Sequence, residues 1–267
     1  MCIRDSRCGG GLAARVAPAA QDAALMRQLH PAYRDDLSLD DLRRLYAYPA
    51  DRPWLRSNMV SSLDGGATVG GRSEGLGSPA DKKVFTLLRG LCDVVLVGAG
   101  TARAEGYRAL RPDPAFTDRR AASGQPPAPT LAVVSGRLRL DPSSAMFTGG
   151  GERTVIVTCA SADPRARARL ADVADVVVAG EDTVDLPAAV LSLVDRGMGR
   201  VLCEGGPGLL ADVVAAGLLD ELCLTVSPIL VGGDTTRITS GLSAGARRLR
   251  LASALGEDDV LLLRYRR

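Results

Sequence analysis

The residue types that could carry chemistry in this chain gather at the ends of strand-like runs. The densest group is Glu204-Gly205-Gly206-Pro207-Gly208, which follows the apolar run Arg200–Cys203 and precedes the helical pattern Leu209, Leu210, Val213, Val214. Glycines let a backbone approach a phosphate closely, and a helix N-terminus presents unpaired N–H groups and a positive dipole end. An ordinary strand-to-helix turn also favours glycine, but three glycines and a proline in four positions weigh toward a phosphate cradle. Glu204 is the last residue of its strand and faces the same crevice, where it is positioned to contact a ligand. A second turn, Gly98-Ala99-Gly100-Thr101, follows Val94–Val97 and leads into Ala102, Arg103, Ala104 and Glu105. It is not the full dinucleotide fingerprint, because Arg103 stands at the position of the last glycine. Two such turns on one sheet suit a ligand with two phosphates or two rings.

A third element is Asn58-Met59-Val60-Ser61-Ser62-Leu63-Asp64-Gly65, a strand running into a turn with a glycine-rich loop behind it. Taken alone, Asp64 reads as a turn residue. Arg89 near the end of a helix and Arg111 before Pro112 become significant only if they converge on the same crevice. Other chemistries are poorly supplied. His30 is the only histidine, and the six cysteines, at 2, 8, 92, 159, 203 and 223, show no C-x-x-C spacing. A zinc site or a histidine-based triad is nearly excluded, and Cys159, Cys203 and Cys223 read as core packing. No metal is expected. With Lys plus Arg at 33 and Asp plus Glu at 31, the net charge is only +2. That balance argues against a nucleic-acid or membrane surface as partner. No apolar run approaches the roughly 20 residues that span a bilayer, and no signal-peptide pattern is present, so a cytoplasmic location is expected.

The elements that must position these residues form a repeating rhythm from Trp54 onward. Apolar β-branched runs alternate with helical patterns, the signature of an α/β protein with a mostly parallel sheet and helices on both faces. Strands are expected at 55–61, 93–97, 130–135, 154–158, 175–179, 200–203, 221–230 and 258–265. The last two are expected to pair antiparallel across a long loop. The most secure helix opens at Ser78-Pro79-Ala80-Asp81, with an N-cap, a first-turn proline and a capping-box acid, and places Val84, Leu87, Leu88 and Leu91 on one face. Further helices are expected from Asp163-Pro164, over Leu186–Arg196, and after Pro207. Residues 1–52 read as an extension, with 1–20 disordered or non-native and 21–48 forming two short helices. Residues 53–267 read as the main domain. Ala121–Pro129 and Gly149–Gly151 read as surface connections.

Three blocks together resemble a known family: Ser62-Leu63-Asp64-Gly65, the strand and turn Asp93–Thr101, and Glu204-Gly205-Gly206-Pro207 with the downstream Leu219-Asp220-Glu221-Leu222. They are similar to the reductase domain of bacterial riboflavin biosynthesis, the C-terminal half of the bifunctional deaminase-reductase. The resemblance covers about residues 53–265. It implies a dihydrofolate-reductase-like fold and NADPH-dependent reduction of 5-amino-6-(5-phosphoribosylamino)uracil. It also implies a homodimer, for which the apolar run Leu222–Val231 is a candidate surface. Matched position by position, Ser61, Gly98, Gly100, Thr101, Glu105, Ser135, Gly205, Gly206, Pro207, Gly208, Leu209 and Leu210 fall on cofactor contacts. Asn58, Ser73, Arg89, Leu110, Arg111 and Glu204 fall on substrate contacts, with the arginines suited to the ribose phosphate. Asp64 or Glu204 would assist proton transfer. Glu105 stands where an aspartate is usual, Gly75 where a tryptophan is, and Asn58 where a lysine is. Nothing before Pro53 supplies the H-x-E or P-C-x-x-C of the deaminase partner, so a reductase without a deaminase is expected. The alternatives are a reductase of dihydrofolate or another pterin on the same fold, and a nicotinamide-nucleotide-binding protein without turnover.

Overall fold

The computed structural model describes residues 25–241 and 245–267. The expectation for residues 1–20 falls outside them. Ten strands form one sheet in the order β1-β9-β10-β8-β2-β7-β3-β4-β5-β6. The parallel block comprises β2 (Trp54–Ser62), β3 (Val94–Gly98), β4 (Thr130–Val134), β5 (Val155–Thr158), β6 (Asp175–Val178), β7 (Arg200–Cys203) and β8 (Glu221–Ser227). β10 (Val260–Arg266) runs antiparallel to β8, β9 (Arg250–Glu257) to β10, and β1 (Arg27–His30) to β9.

Helices cover both faces because the parallel strands are apolar on both. On β3, Val95 and Val97 join α2 (Pro79–Leu91) and α1 (Leu39–Leu45) in one core, while Val94 and Leu96 join α6 (Leu186–Asp195) and α7 (Pro207–Ala215) in another. Leu87 and Leu88 of α2 are fully buried, each worth about 1.5–3 kcal/mol of apolar burial. The helix starts where expected: the Ser78 hydroxyl accepts from Asp81 N–H at 3.0 Å, and Pro79 opens the first turn. Short helices α3 (Ala99–Ala104) and α4 (Thr117–Ala122) and the longer α5 (Pro164–Ala171) complete the set.

Three expectations need correction. Two short helices are expected over 21–48; among the described residues of that stretch α1 is the only helix, and Arg27–His30 is an edge strand against β9. The expected antiparallel pairing of the last two strands is present as β8 and β10, but the loop between them contains β9, and β9 and β1 extend the antiparallel part to four strands. Strands β1 and β9 are stabilised mainly by pairing with each other and with β10, which is a long-range interaction invisible in their own short patterns. Part of 121–129 is not a surface connection either, since Ala121 and Ala122 end α4 and Ala128 is fully buried.

The Leu219–Leu222 block is structural. Asp220 accepts from the backbone N–H of Leu55 at 2.9 Å, anchoring the start of β2. Glu221, fully buried, accepts from Arg56 Nε at 2.7 Å and Arg266 Nε at 3.0 Å. Arg56, equally buried, also donates to the Tyr46 carbonyl at 2.9 Å, tying the segment after α1 to the sheet.

Candidate active site

The central strand β7 lies between β2 and β3 and ends opposite Ser57, so its C-terminal turn meets the turn after β3 and lies against Met59 in the second half of β2. Gly98 N–H donates to the Gly205 carbonyl at 2.8 Å, and a Cβ placed on Gly206 would stand 2.1 Å from Thr101 Oγ1. The two glycine turns are therefore one surface, and Gly206 must lack a side chain for them to touch. Gly100 and Gly208, by contrast, have open space where a Cβ would be, and both border a cavity of about 910 Å³. That volume is near the top of the range for ligand sites. Asn58, Ser73, Thr101, Glu105, Leu110, Arg111 and Pro207 also border it.

Glu204 and Arg89 meet in this cavity. Arg89 Nε donates to Glu204 Oε1 and Arg89 Nη2 to Oε2, both at 2.7 Å, while the Tyr107 hydroxyl donates to Oε2 at 2.5 Å. The Glu204 side chain is 2% exposed and that of Arg89 26%. Burial disfavours charge on Arg89, but the Glu204 carboxylate outweighs it and keeps the guanidinium protonated. Burial and then the same carboxylate push the Tyr107 phenol far up, so it stays a hydrogen-bond donor. Arg89 also stacks on Phe85, its carbon 4.1 Å from the ring centre. Two residues read from the sequence as separate substrate contacts are thus bound to each other. The Ser73 and Glu105 positions are joined similarly, Ser73 N–H donating to Glu105 Oε1 at 2.9 Å across the mouth.

Asp64 lies in the exposed turn after β2, apart from the cavity lining. It accepts from the Ser62 hydroxyl and from the backbone N–H groups of Val231 and Gly232, at 3.2 and 2.7 Å. The Ser62 contact first, then these amides, hold its carboxyl down at about 2. This places it as a clamp on the root of the loop 228–241. That loop returns to the cavity, where Ser240 N–H donates to the Pro207 carbonyl at 3.1 Å and Thr236 borders the opening. Ser61, Gly98, Ser135, Gly205, Leu209 and Leu210 also stand behind the lining rather than on it. Leu210 is core at 1% exposed, and Ser135 Oγ accepts from Leu138 N–H at 3.0 Å.

Sequence reasoning missed Asp81, Lys82, Tyr107 and Arg108, all at the cavity wall. One signal was available, since Asp81, Phe85 and Arg89 are four residues apart and form a second stripe on α2 beside its apolar face.

The comparisons with known proteins bear on this arrangement. The family model described as RibD C-terminal domain matches residues 53–261. The chain belongs to the RibD C-terminal domain family. Among its curated relatives, the 2,5-diamino-6-ribosylamino-4(3H)-pyrimidinone 5′-phosphate reductase of Methanothermobacter thermautotrophicus is 33% identical over 218 residues, covering 79% of this chain and 97% of that protein. The protein of the same name from Archaeoglobus fulgidus is 28% identical over 219 residues, 81% of this chain and 100% of that one. The riboflavin biosynthesis protein RibD of Bacillus amyloliquefaciens is 30% identical over 183 residues, and the match spans 47% of its length. Among solved structures, a pyrimidine reductase-like protein from Corynebacterium diphtheriae superposes with a TM-score of 0.76 at 26% identity, covering 84% of this chain and 97% of that one. RibD family membership thus agrees with the resemblance carried by the three sequence blocks. From those blocks, Gly100, Thr101, Glu204, Gly206 and Pro207 line the cavity.

Proposed function

We propose that this chain is an NADPH-dependent reductase of a ribosylaminopyrimidine 5′-phosphate in riboflavin biosynthesis, working as a cytoplasmic homodimer. The observation that carries the reading is the convergence, in one cavity, of the joined glycine turns and the part-buried Glu204–Arg89–Tyr107 cluster. The turns fit a dinucleotide: Gly100 and Gly208 leave open backbone at the cavity edge, and the N-terminus of α7 faces the same side. Gly100, Thr101, Gly206, Pro207 and Gly208 would hold the cofactor. When bound, it supplies the two electrons of the reduction.

The chain's own residues bind and orient the substrate. Glu204, fixed by Arg89 and Tyr107, offers an acceptor to N–H groups of the pyrimidine. Arg89 already gives two of its three nitrogens to Glu204, so the ribose phosphate falls to the exposed cations Lys82, Arg108 and Arg111 at the rim. The loop 228–241, clamped by Asp64, narrows the opening and limits water. A dimer surface is offered by Leu224, Val226, Leu261 and Leu263, neighbours on β8 and β10 that stay partly exposed.

Relatives matched over 97–100% of their length carry the diaminopyrimidinone name, which favours that substrate over the uracil derivative expected from the sequence. The two differ at C2, where one bears an amino group and the other an oxygen. Purified protein with NADPH and each compound, and with dihydrofolate as control, tests the reading. Loss of nicotinamide absorbance is expected with the diaminopyrimidinone. No loss with either pyrimidine would overturn the proposal, and faster turnover of dihydrofolate would reassign it to pterin chemistry.

A further inference from the structure

Reduction of a ribosylamine consumes one hydride and one proton: the hydride ends on C1′ and the proton on the ribose ring oxygen when the sugar opens. The cavity holds few groups able to give it. Tyr107 is committed to Glu204 at 2.5 Å and its phenol is strengthened against release. Both Glu204 oxygens accept from Arg89. Asp64 is outside the lining and held ionised. Asp81 differs from all of these. It sits in the first turn of α2 at the cavity wall, and its Oδ1 accepts from the Thr225 hydroxyl of β8 at 2.6 Å. Its Oδ2 has no hydrogen-bond partner among the described residues.

We propose that Asp81 is the general acid of the reaction, its free oxygen delivering the proton to the ribose ring oxygen while Thr225 holds the other. The inference rests on the reductase reading above. In the step, the O–H bond of Asp81 breaks and a new O–H bond forms on the ring oxygen. The C1′–O bond opens, and the lone pair of the exocyclic nitrogen closes a C=N bond. Charge balances as a carboxylate and an iminium, whose C1′ is then the acceptor for the hydride. Solvent returns the proton to Asp81.

The surroundings suit the role. Burial raises the Asp81 carboxyl above the usual carboxylate range, opposed by the Thr225 hydroxyl and by Lys82. Glu74 from the loop, and Glu204 with Arg89, border the same cavity, while Glu257 of β9 is taken by Lys83 at 2.9 Å. A purely structural alternative exists, in which Asp81 only ties α2 to β8.

Asp81→Asn separates the two, because the amide oxygen still accepts from Thr225. Expected are a loss in kcat of about a hundredfold or more and dissociation constants for substrate and NADPH, by calorimetry, within about threefold of the parent. Carboxyl-carbon NMR of the ligand-free protein, assigned by its difference from Asp81→Asn, should show Asp81 titrating above ordinary aspartates. The parent kcat should fall as pH rises through that value. Thr225→Val removes a donor to the carboxylate and should move this limb to higher pH, a change that a merely structural tie would not produce. An active parent whose Asp81→Asn variant keeps kcat within tenfold, or an Asp81 titrating in the ordinary range, overturns the assignment alone. A parent inactive on both pyrimidines overturns it together with the reductase reading.

Discussion

The Arg89 guanidinium grips the Glu204 carboxylate with two hydrogen bonds of 2.7 Å, one from α2 and its partner from the end of β7. Removing one member leaves the other charged in a largely desolvated place. Arg89→Met should therefore destabilise the fold by about 3–5 kcal/mol, and Arg89→Met with Glu204→Gln by clearly less. Urea unfolding of the parent, both single variants and the double variant measures the coupling. Additive losses would show the pair to be independent.

Tyr107→Phe removes one hydrogen bond to a charged acceptor, worth about 1.5–3 kcal/mol. Glu204 should then be held by Arg89 alone, and kcat/KM for the pyrimidine should fall about tenfold or more while the KM for NADPH stays near the parent's. Steady-state kinetics with each substrate varied in turn checks this, and equal effects on both would place Tyr107 at the cofactor.

The glycines separate two kinds of effect. A Cβ added at Gly208 meets nothing of the protein within 4 Å, so in Gly208→Val the melting temperature should hold while NADPH affinity drops about tenfold or more. Gly206→Ala instead meets Thr101 Oγ1 and should lower the melting temperature, with Thr101→Gly restoring part of it. Calorimetric titration beside thermal melts distinguishes them.

Asp64→Ala should free the root of the loop 228–241. Protease nicking there should speed up several-fold, with kcat changed by less than about tenfold because Asp64 is outside the cavity. The pH dependence has a definite sign. A carboxyl lowered to about 2 in the fold stabilises above the ordinary aspartate value, and the contribution is lost as pH falls toward 2. The parent's acid-side loss of stability should thus be shallower in Asp64→Ala, as read by denaturation between pH 5 and 2 (roughly the window where aspartates titrate).

The legible parts were those whose causes lie within one segment. Ser78, Pro79 and the apolar face of α2 specify that helix locally, and Arg200–Gly208 announces a strand, a tight turn and a helix start. Arg27–His30 carries no such signal, since four residues become a strand only by borrowing hydrogen bonds from β9, more than 200 residues away. Asp81 was legible as a helix-start acid, but its place at the cavity wall depends on Thr225 of a different strand.

The sequence by itself determined that two glycine turns and a carboxylate end strands of one parallel α/β sheet, and it narrowed the chemistry by supplying a single histidine, His30, away from those turns. The tertiary structure alone decided which of these residues meet. It joined Arg89 to Glu204, brought in Tyr107, and moved Asp64 from the chemistry to the scaffold. The reason is physical: turn and helix preferences are set by neighbours along the chain, whereas a cavity and its charge pairs arise only when strand order and packing bring distant segments within hydrogen-bond reach.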